Sequence, residues 1–266
     1  MLVSIIVPAF KQEKTIKKDL ENIYDAMSHT RWDFEIIFVD DGSPDKTFKK
    51  ARLIKRKNIK FYKYKKNYGK GYAVKYGMAR SSGDVIAFID SGMEINPNSI
   101  SLILEHMLWY ESDIIVASKR HSASKVNYSF MRRIYSWGYF IFIKIFFGLN
   151  ITDTQSGLKI YKRDVLEKVL PRLLIKQFAF DIELLAVARH LGFSRIHDAP
   201  VEMTLNFSNS TFKKWLPLFL DPNILRILKD TLAVFYRLKI LRYYDDGNRR
   251  KWRYDKELDM KINTGL

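Results

Sequence analysis

The sequence predicts an α/β fold in which a mostly parallel sheet carries helices on both faces, and three observations carry this reading. Apolar runs at 2–7, 34–39, 59–64, 85–89 and 113–117 alternate with stretches of helical spacing. Such alternation calls for parallel strands joined by right-handed crossovers. Residues 85–89 are apolar on both pleat faces, as a central strand between two helix layers must be. A chain of 266 residues accommodates one large domain of this type with an appendage more readily than two full domains.

Each element follows from its residues. Strand 2–7 is stopped by Pro8, and 13–27 has helical spacing through Ile16, Leu20, Ile23 and Tyr24. Strand 34–39 runs into Asp40-Asp41-Gly42-Ser43-Pro44-Asp45, an acidic turn whose glycine permits a tight backbone and whose last acid starts a helix. Strand 59–64 leads to Asn67-Tyr68-Gly69-Lys70-Gly71, which opens a helix through Ala73, Tyr76, Gly77 and Ala79, small enough to pack closely. Strand 85–89 ends in Asp90, with Glu94 in the same turn; Asn96 and Pro97 then begin a helix over 97–111. Further on, 158–161 reads as a short strand, 163–174 and 180–191 as helices, and 194–201 as a return to the sheet. Residues 223–241 form an amphipathic helix with Leu225, Leu228, Leu232, Phe235 and Leu238 on one side and Arg226, Lys229 and Arg237 opposite. The tail from Asp245 is highly charged, lacks an apolar period and is expected to fray.

Composition narrows the partners. The absence of cysteine excludes disulfides and thiolate metal sites and fits a reducing compartment. The first residues read as a strand and lack the basic region of a secretory leader. The formal charge of +17, with thirteen Lys or Arg and no acid between 46 and 75, points to an anionic partner. No zinc-finger spacing, RNP-type motif or helix-turn-helix is present, so an anionic membrane surface is expected and nucleic acid is not. Residues 130–149 are rich in aromatics but are interrupted by Arg132, Arg133 and Lys144. A spanning helix needs ~20 apolar residues. The stretch therefore reads as an interfacial helix, with a buried core helix as the alternative. The expected location is cytoplasmic, peripheral on the inner face of the membrane.

Two strands end in acid. In open α/β sheets the ligand crevice lies off the carboxyl ends of the strands, which puts Asp40 and Asp90 at its lip. Pro8-Ala9-Phe10-Lys11-Gln12 stands where a dinucleotide fingerprint would, and no Walker turn occurs. A nucleotide would then be held by carboxylates accepting from ribose hydroxyls and base N–H groups, with Phe10 stacking on the base. Asp90 and Glu94 together can hold a hard divalent cation, which in turn holds a diphosphate.

The ordered set Val3-Ser4-Ile5-Ile6-Val7-Pro8-Ala9-Phe10, Val39-Asp40-Asp41-Gly42-Ser43, Asn67-Tyr68-Gly69, Phe88-Ile89-Asp90, Asp153-Thr154-Gln155-Ser156-Gly157-Leu158-Lys159 and Phe180-Asp181-Ile182-Glu183 resembles the family 2 glycosyltransferases. The branch it is most similar to comprises the polyprenyl-phosphate (dolichyl-phosphate) mannosyl- and glucosyltransferases. The resemblance spans residues 3–203. It implies a GT-A fold, with a transferase domain at 1–205; residues 206–266 read from their own spacing and charge as a helical, basic segment. It also implies a UDP- or GDP-linked sugar donor, Mg²⁺ or Mn²⁺, and an inverting single displacement onto a polyprenyl phosphate. Carried over residue by residue, it places Pro8, Phe10, Asp40, Asp41, Lys70 and Asp90 at the nucleotide, and Asp90 and Glu94 on the metal. Lys119, Arg132 and Ser136 fall at the acceptor, with Arg133 adjacent, and Asp90, Asp153 and Arg132 at the reaction centre.

The sequence departs from the family at Gly92, where the second acid of an Asp-x-Asp motif is expected. It departs also at Lys11 and Gln12, in place of Asn and Glu, and at Lys119, a point charge in place of an Arg fork. A lipid phosphate, whose second pKa is about 6, is ionised near neutrality and needs no general base. Two other readings stay open. A saccharide hydroxyl as acceptor would require Asp153 or Asp181 as base; and Gly92 permits an inactive module that binds without turnover.

Overall fold

The computed structural model describes residues 1–121, 124, 130–177, 179–201, 222–247 and 252–263, with the backbone alone at 130–136 and 222–224. The first half alternates as expected: β1 (Leu2–Ala9), α1 (Ile16–Ser28), β2 (Asp33–Asp40), α2 (Thr47–Ala51), β3 (Ile59–Lys63), α3 (Lys70–Met78), β4 (Val85–Ile89), α4 (Ser99–Trp109) and β5 (Ile114–Ser118). There follow α5 (Phe130–Phe147), β6 (Leu158–Lys162), α6 (Arg163–Val169) and α7 (Phe180–His190). The chain ends with β7 (Ile196–Pro200), α8 (Pro222–Phe235), β8 (Trp252–Asp255) and β9 (Met260–Asn263). Helix α6 stops earlier than its apolar spacing suggests, passing into a 3-10 turn at Leu170–Arg172 where Pro171 removes a backbone donor.

The main sheet has seven strands in the order β3-β2-β1-β4-β6-β5-β7. Pairs β1–β2, β1–β4, β2–β3 and β5–β7 are parallel. Strand β6 enters between β4 and β5, antiparallel to both. The sheet is therefore mixed at this point, where the sequence predicts parallel strands. After α5 the chain re-enters the sheet from the crevice end, Leu158 lying opposite Ile89, so the loop before β6 is delivered against the end of β4.

Strand alternation divides the interior into two layers. Ile6, Ile37, Val39, Ile86, Phe88 and Val116 face α3, α5, α6, α7 and α8. Ile5, Val7, Ile36, Phe38, Ala87, Ile89 and Ile115 face α1, α2 and α4. Each fully buried Ile or Phe contributes about 1.5–3 kcal/mol, and these residues fix the strand ends from which the site is built.

The C-terminal region departs from expectation in two ways. The five apolar residues assigned to one side of the last helix split: Leu238 is buried and Phe235 packs edge-on against Phe146, while Leu225, Leu228 and Leu232 face outward. The apolar arc of α8 is wider than the surface it covers. The tail beyond Asp245 does not fray throughout: β8 and β9 pair as an antiparallel hairpin. It is held largely by polar contacts, Tyr72 donating to Glu257 Oε2 at 2.6 Å, Arg80 to the Glu257 carbonyl, and Leu258 sinking into the body. A search for apolar periodicity does not register such an attachment. The expected domain boundary at 205/206 lies outside the described residues.

Candidate active site

The crevice forms at the C-terminal ends of β1, β2, β4 and β5, where the start of β6 closes it. Asp90 follows β4 directly. Its backbone N–H donates to the Gly157 carbonyl at 2.9 Å, and its carboxylate accepts from Lys70 Nζ at 2.8 Å. Gly157 lies so near that a Cβ there would sit 2.6 Å from Asp90 Oδ2, which explains a glycine at this position. Lys70 is the first residue of α3. Burial works against its ammonium, but the Asp90 and Asp181 carboxylates outweigh it, and its pKa is raised.

The turn beyond Asp90 is left-handed at two successive residues, Gly92 (φ 98°) and Met93 (φ 51°). Its backbone is tied to α1, the Gly92 N–H donating to Asp19 Oδ2 at 2.9 Å. Nothing lies within 4 Å of a Cβ built at Gly92, so the crevice is open there. Glu94 projects into it, with Lys119 Nζ 3.7 Å from its Oε2. The Lys119 backbone N–H in turn reaches Asp153 Oδ2 at 3.4 Å. Asp198 fastens this side by accepting from Thr152 N and Oγ1 at 2.8 and 2.6 Å, and burial raises its pKa against those bonds. Lys70, Asp90, Glu94, Lys119 and Asp153 are thus gathered at one mouth.

The end of β2 divides its two acids. Asp40 Oδ1 accepts from Ser43 N at 2.8 Å, while its buried Oδ2 lacks a hydrogen-bond donor although Lys63 Nζ is 3.4 Å away. Asp41 turns inward. It accepts from Tyr64 Oη at 2.8 Å and from Tyr68 N, Gly69 N and Asn67 Nδ2 at 2.9 Å each. Burial nonetheless raises its pKa. With its oxygens so engaged, Asp41 supports the turn that presents Lys70 and has little left for a nucleotide. Pro8 is buried within β1 opposite Val39 and shapes the strand end. Phe10 is exposed at the crevice lip, with Lys11 Nζ 5.2 Å from its ring centroid. The side chains of Arg132, Arg133 and Ser136 lie outside the described residues.

Two supporting residues escaped the sequence reading. Asp19 sits three residues after Ile16 on the buried side of α1, an acid where the spacing asks for an apolar residue. Lys159, quoted in a motif but given no role, interrupts the apolar strand Leu158–Lys162 and is fully buried. A charge in an apolar run was the available signal in both cases.

Among the described residues no three His, Asp or Glu side chains form a metal cage. Asp90 and Glu94 remain the acids able to share an ion with a phosphorylated ligand. Their side chains are 41% and 55% exposed, each now facing a lysine.

Comparison with known proteins accords with this geometry. The model of the family described as glycosyl transferase family 2 matches residues 4–170. The dolichyl-phosphate beta-glucosyltransferase of Dictyostelium discoideum is 28% identical over 253 residues, 88% of this chain and 74% of that protein. Mannosyl-3-phosphoglycerate synthase from Rubrobacter xylanophilus superposes with a TM-score of 0.67 at 15% identity, covering 99% of this chain and 86% of the other. Glucosyl-3-phosphoglycerate synthase from Mycobacterium tuberculosis, solved with Mn²⁺, UDP and phosphoglyceric acid, gives 0.63 at 18% identity, covering 95% and 83%. At these identities the solved structures speak for the fold, a mostly parallel sheet between helices in the GT-A arrangement. Family match, sheet order and strand-end acids agree, and the chain belongs to family 2 of the glycosyltransferases.

Proposed function

We propose that the enzyme moves a sugar, with inversion and in a single displacement, from a UDP- or GDP-linked donor to a polyprenyl phosphate at an anionic membrane surface. The observation that carries this reading is the pairing at the crevice mouth, where Lys70 faces Asp90 and Lys119 faces Glu94. Two cations at one crevice, each paired with a carboxylate, suit a reaction that brings two phosphorylated groups together. The names of the sequence relatives, dolichyl-phosphate beta-glucosyltransferases, support the acceptor class. The UDP in solved structures of the same fold favours uridine as the base.

In this mechanism an oxygen of the lipid phosphate attacks the anomeric carbon. The bond from that carbon to the donor diphosphate breaks, and its electron pair leaves on the diphosphate. No proton has to be removed, because the acceptor is already ionised. The protein therefore acts by positioning and by charge. Lys70 serves the donor side and Lys119 the acceptor side, joined by Arg132, Arg133 and Ser136 at the start of α5. Asp153 orients the acceptor through its contact with the Lys119 backbone. Phe10 and Asp40 take the base. The residues fit a Mg²⁺ or Mn²⁺ ion shared with the donor, since two exposed carboxylates border the open space at Gly92. When bound by Asp90 and Glu94, such an ion supplies positive charge to the departing diphosphate.

The membrane contact is assigned to α5 and to the outer stripe of α8 within a C-terminal segment at 206–266. Leu225, Leu228 and Leu232 of α8 are exposed, as are Tyr236 and Ile240 in the π-helical turn Tyr236–Ile240 that continues it, and Trp137 and Ile145 on α5. No helix among the described residues is long and apolar enough to cross a membrane, which suits peripheral docking.

The test is incubation of the protein and a short polyprenyl phosphate with a panel of labelled nucleotide sugars, with Mg²⁺, Mn²⁺ or EDTA. Labelled polyprenyl-phosphate sugar is the expected product. Transfer to saccharide hydroxyls with none to the lipid phosphate would overturn the assignment in favour of a base-assisted reaction.

A further inference from the structure

Lys159 has no exposed surface; it stands in β6 opposite Phe88 of β4 and Val116 of β5. Burial lowers the pKa of its ammonium, and Asp181 opposes that effect. A buried ion pair seldom adds net stability over an apolar pair of the same volume. Its contacts suggest what else it does. Nζ donates to Asp181 Oδ1 at 2.7 Å and to the Ser156 carbonyl at 2.6 Å. Asp181 lies in the first turn of α7, where an acid is favoured by the helix dipole. Ser156 precedes Gly157, whose carbonyl receives the Asp90 N–H and whose lack of a Cβ leaves room for the Asp90 carboxylate. From the other side Lys70 holds the same carboxylate, and both ammonium groups stand over Phe88, at 5.2 Å and 4.9 Å from its ring centroid.

On the function proposed above, we infer that Lys159 is a positioning residue for the transfer: its ammonium ties loop 153–157 to α7 and thereby fixes the Asp90 and Asp153 carboxylates. It acts through the loop and touches neither substrate. The nucleotide end of the crevice, built from β1 and β2, does not depend on it. Loss of Lys159 therefore separates turnover from nucleotide binding.

The experiment compares the full chain with Lys159→Met and with Lys159→Met/Asp181→Asn, the second leaving no uncompensated charge if the first fails to fold. In the folded variant, kcat falls roughly 100-fold, the scale of an ångström-sized misplacement. The Kd for UDP, measured in EDTA so that an ion held by Asp90 takes no part, stays within about threefold of the parent. Amide hydrogen exchange across 153–158 accelerates roughly tenfold while β1 is unchanged, as release of a local anchor requires. Parental kcat in a folded variant would overturn the inference. So would a parallel loss of kcat and of UDP affinity in EDTA, which would make Lys159 a general support of the fold. The exchange measurement needs no turnover: unchanged exchange at 153–158 overturns the anchor by itself. Absence of any transfer by the parent would count against the proposed function alone.

Discussion

At the scale of single residues, Gly92 changes meaning once its backbone is known. In sequence it is a missing acid; in the structure it is a residue at φ 98° in front of open space. An L side chain there meets no atoms but adopts a conformation costing of order 1–3 kcal/mol. Gly92→Ala and Gly92→Asp are therefore expected to lower the melting temperature alike. Against the alanine variant, the aspartate variant should show a tighter Mn²⁺ requirement, read by titrating turnover with the ion. Glu94→Ala is expected to behave in the opposite sense, keeping its melting temperature because Glu94 is exposed and losing at least about tenfold in rate, in the range of one lost charge contact to a leaving group. Full activity of Glu94→Ala in EDTA would instead leave Lys70, Lys119 and Arg132 as the stabilisers of the diphosphate. The two acids at the end of β2, Asp40 and Asp41, make a similar contrast. Asp40→Ala should weaken UDP binding directly, whereas Asp41→Ala should do so by loosening the turn of Tyr68 and Gly69, with a fall in melting temperature. Calorimetry together with thermal melts distinguishes them.

At the scale of elements, α3 carries the crevice lysine at its start and a second, buried lysine further along. Lys75 Nζ donates to the Leu173 carbonyl at 2.9 Å, and burial pushes its pKa down to about 8. In the unfolded chain the same group titrates near 10.4. Between those values the unfolded state holds the proton more fully, so folding stability rises with pH across that window and carries its full penalty below it. Lys75→Met should accordingly raise the melting temperature at neutral pH and flatten its increase between about pH 8 and pH 10, relative to the parent. An identical pH slope in both proteins would show that Lys75 is solvated in the fold. The same element explains what could be read in advance. The alternation through β5 was legible because β1, β2, β4 and β5 are apolar on both faces, and Asp90 was legible because it ends such a run. Strand β6 was weaker: Lys159 breaks its apolar pattern, and nothing local states that it runs against its neighbours. The bonds of Asp41 to Tyr64, Asn67, Tyr68 and Gly69 were not legible, because an acid in a turn reads alike whether it faces a ligand or its own backbone. The terminal hairpin was missed because Glu257, Tyr72 and Arg80 hold it, and those contacts have no period.

At the scale of the whole molecule, the formal charge of +17 and the outward apolar line that begins on α8 pose one question for the proposed function, namely which face would meet the lipid. Charge alone attracts the protein to any anionic surface, and that attraction is screened beyond ~8 Å at physiological salt. Insertion of exposed leucines is not screened, and it gives the docking a fixed orientation. The line Leu225, Leu228, Leu232, Tyr236, Ile240 belongs to a helix whose opposite side, Thr231, Val234 and Leu238, is buried in the transferase body. That body includes α7, whose buried Glu183 accepts from Tyr244 Oη at 2.7 Å, so the chain that follows α8 is fastened to the transferase body. The protein should cosediment with anionic vesicles at low salt and be released only in part at high salt. Leu228→Glu/Leu232→Glu, which alters exposed positions alone, should convert that binding to a wholly salt-sensitive form. The same variant should lose transfer to long polyprenyl phosphate in vesicles while retaining it to a short, water-soluble analogue, because the crevice is untouched. Equal loss with both acceptors would assign the stripe to folding or to a protein contact, and undiminished vesicle binding at high salt would move the docking surface to α5.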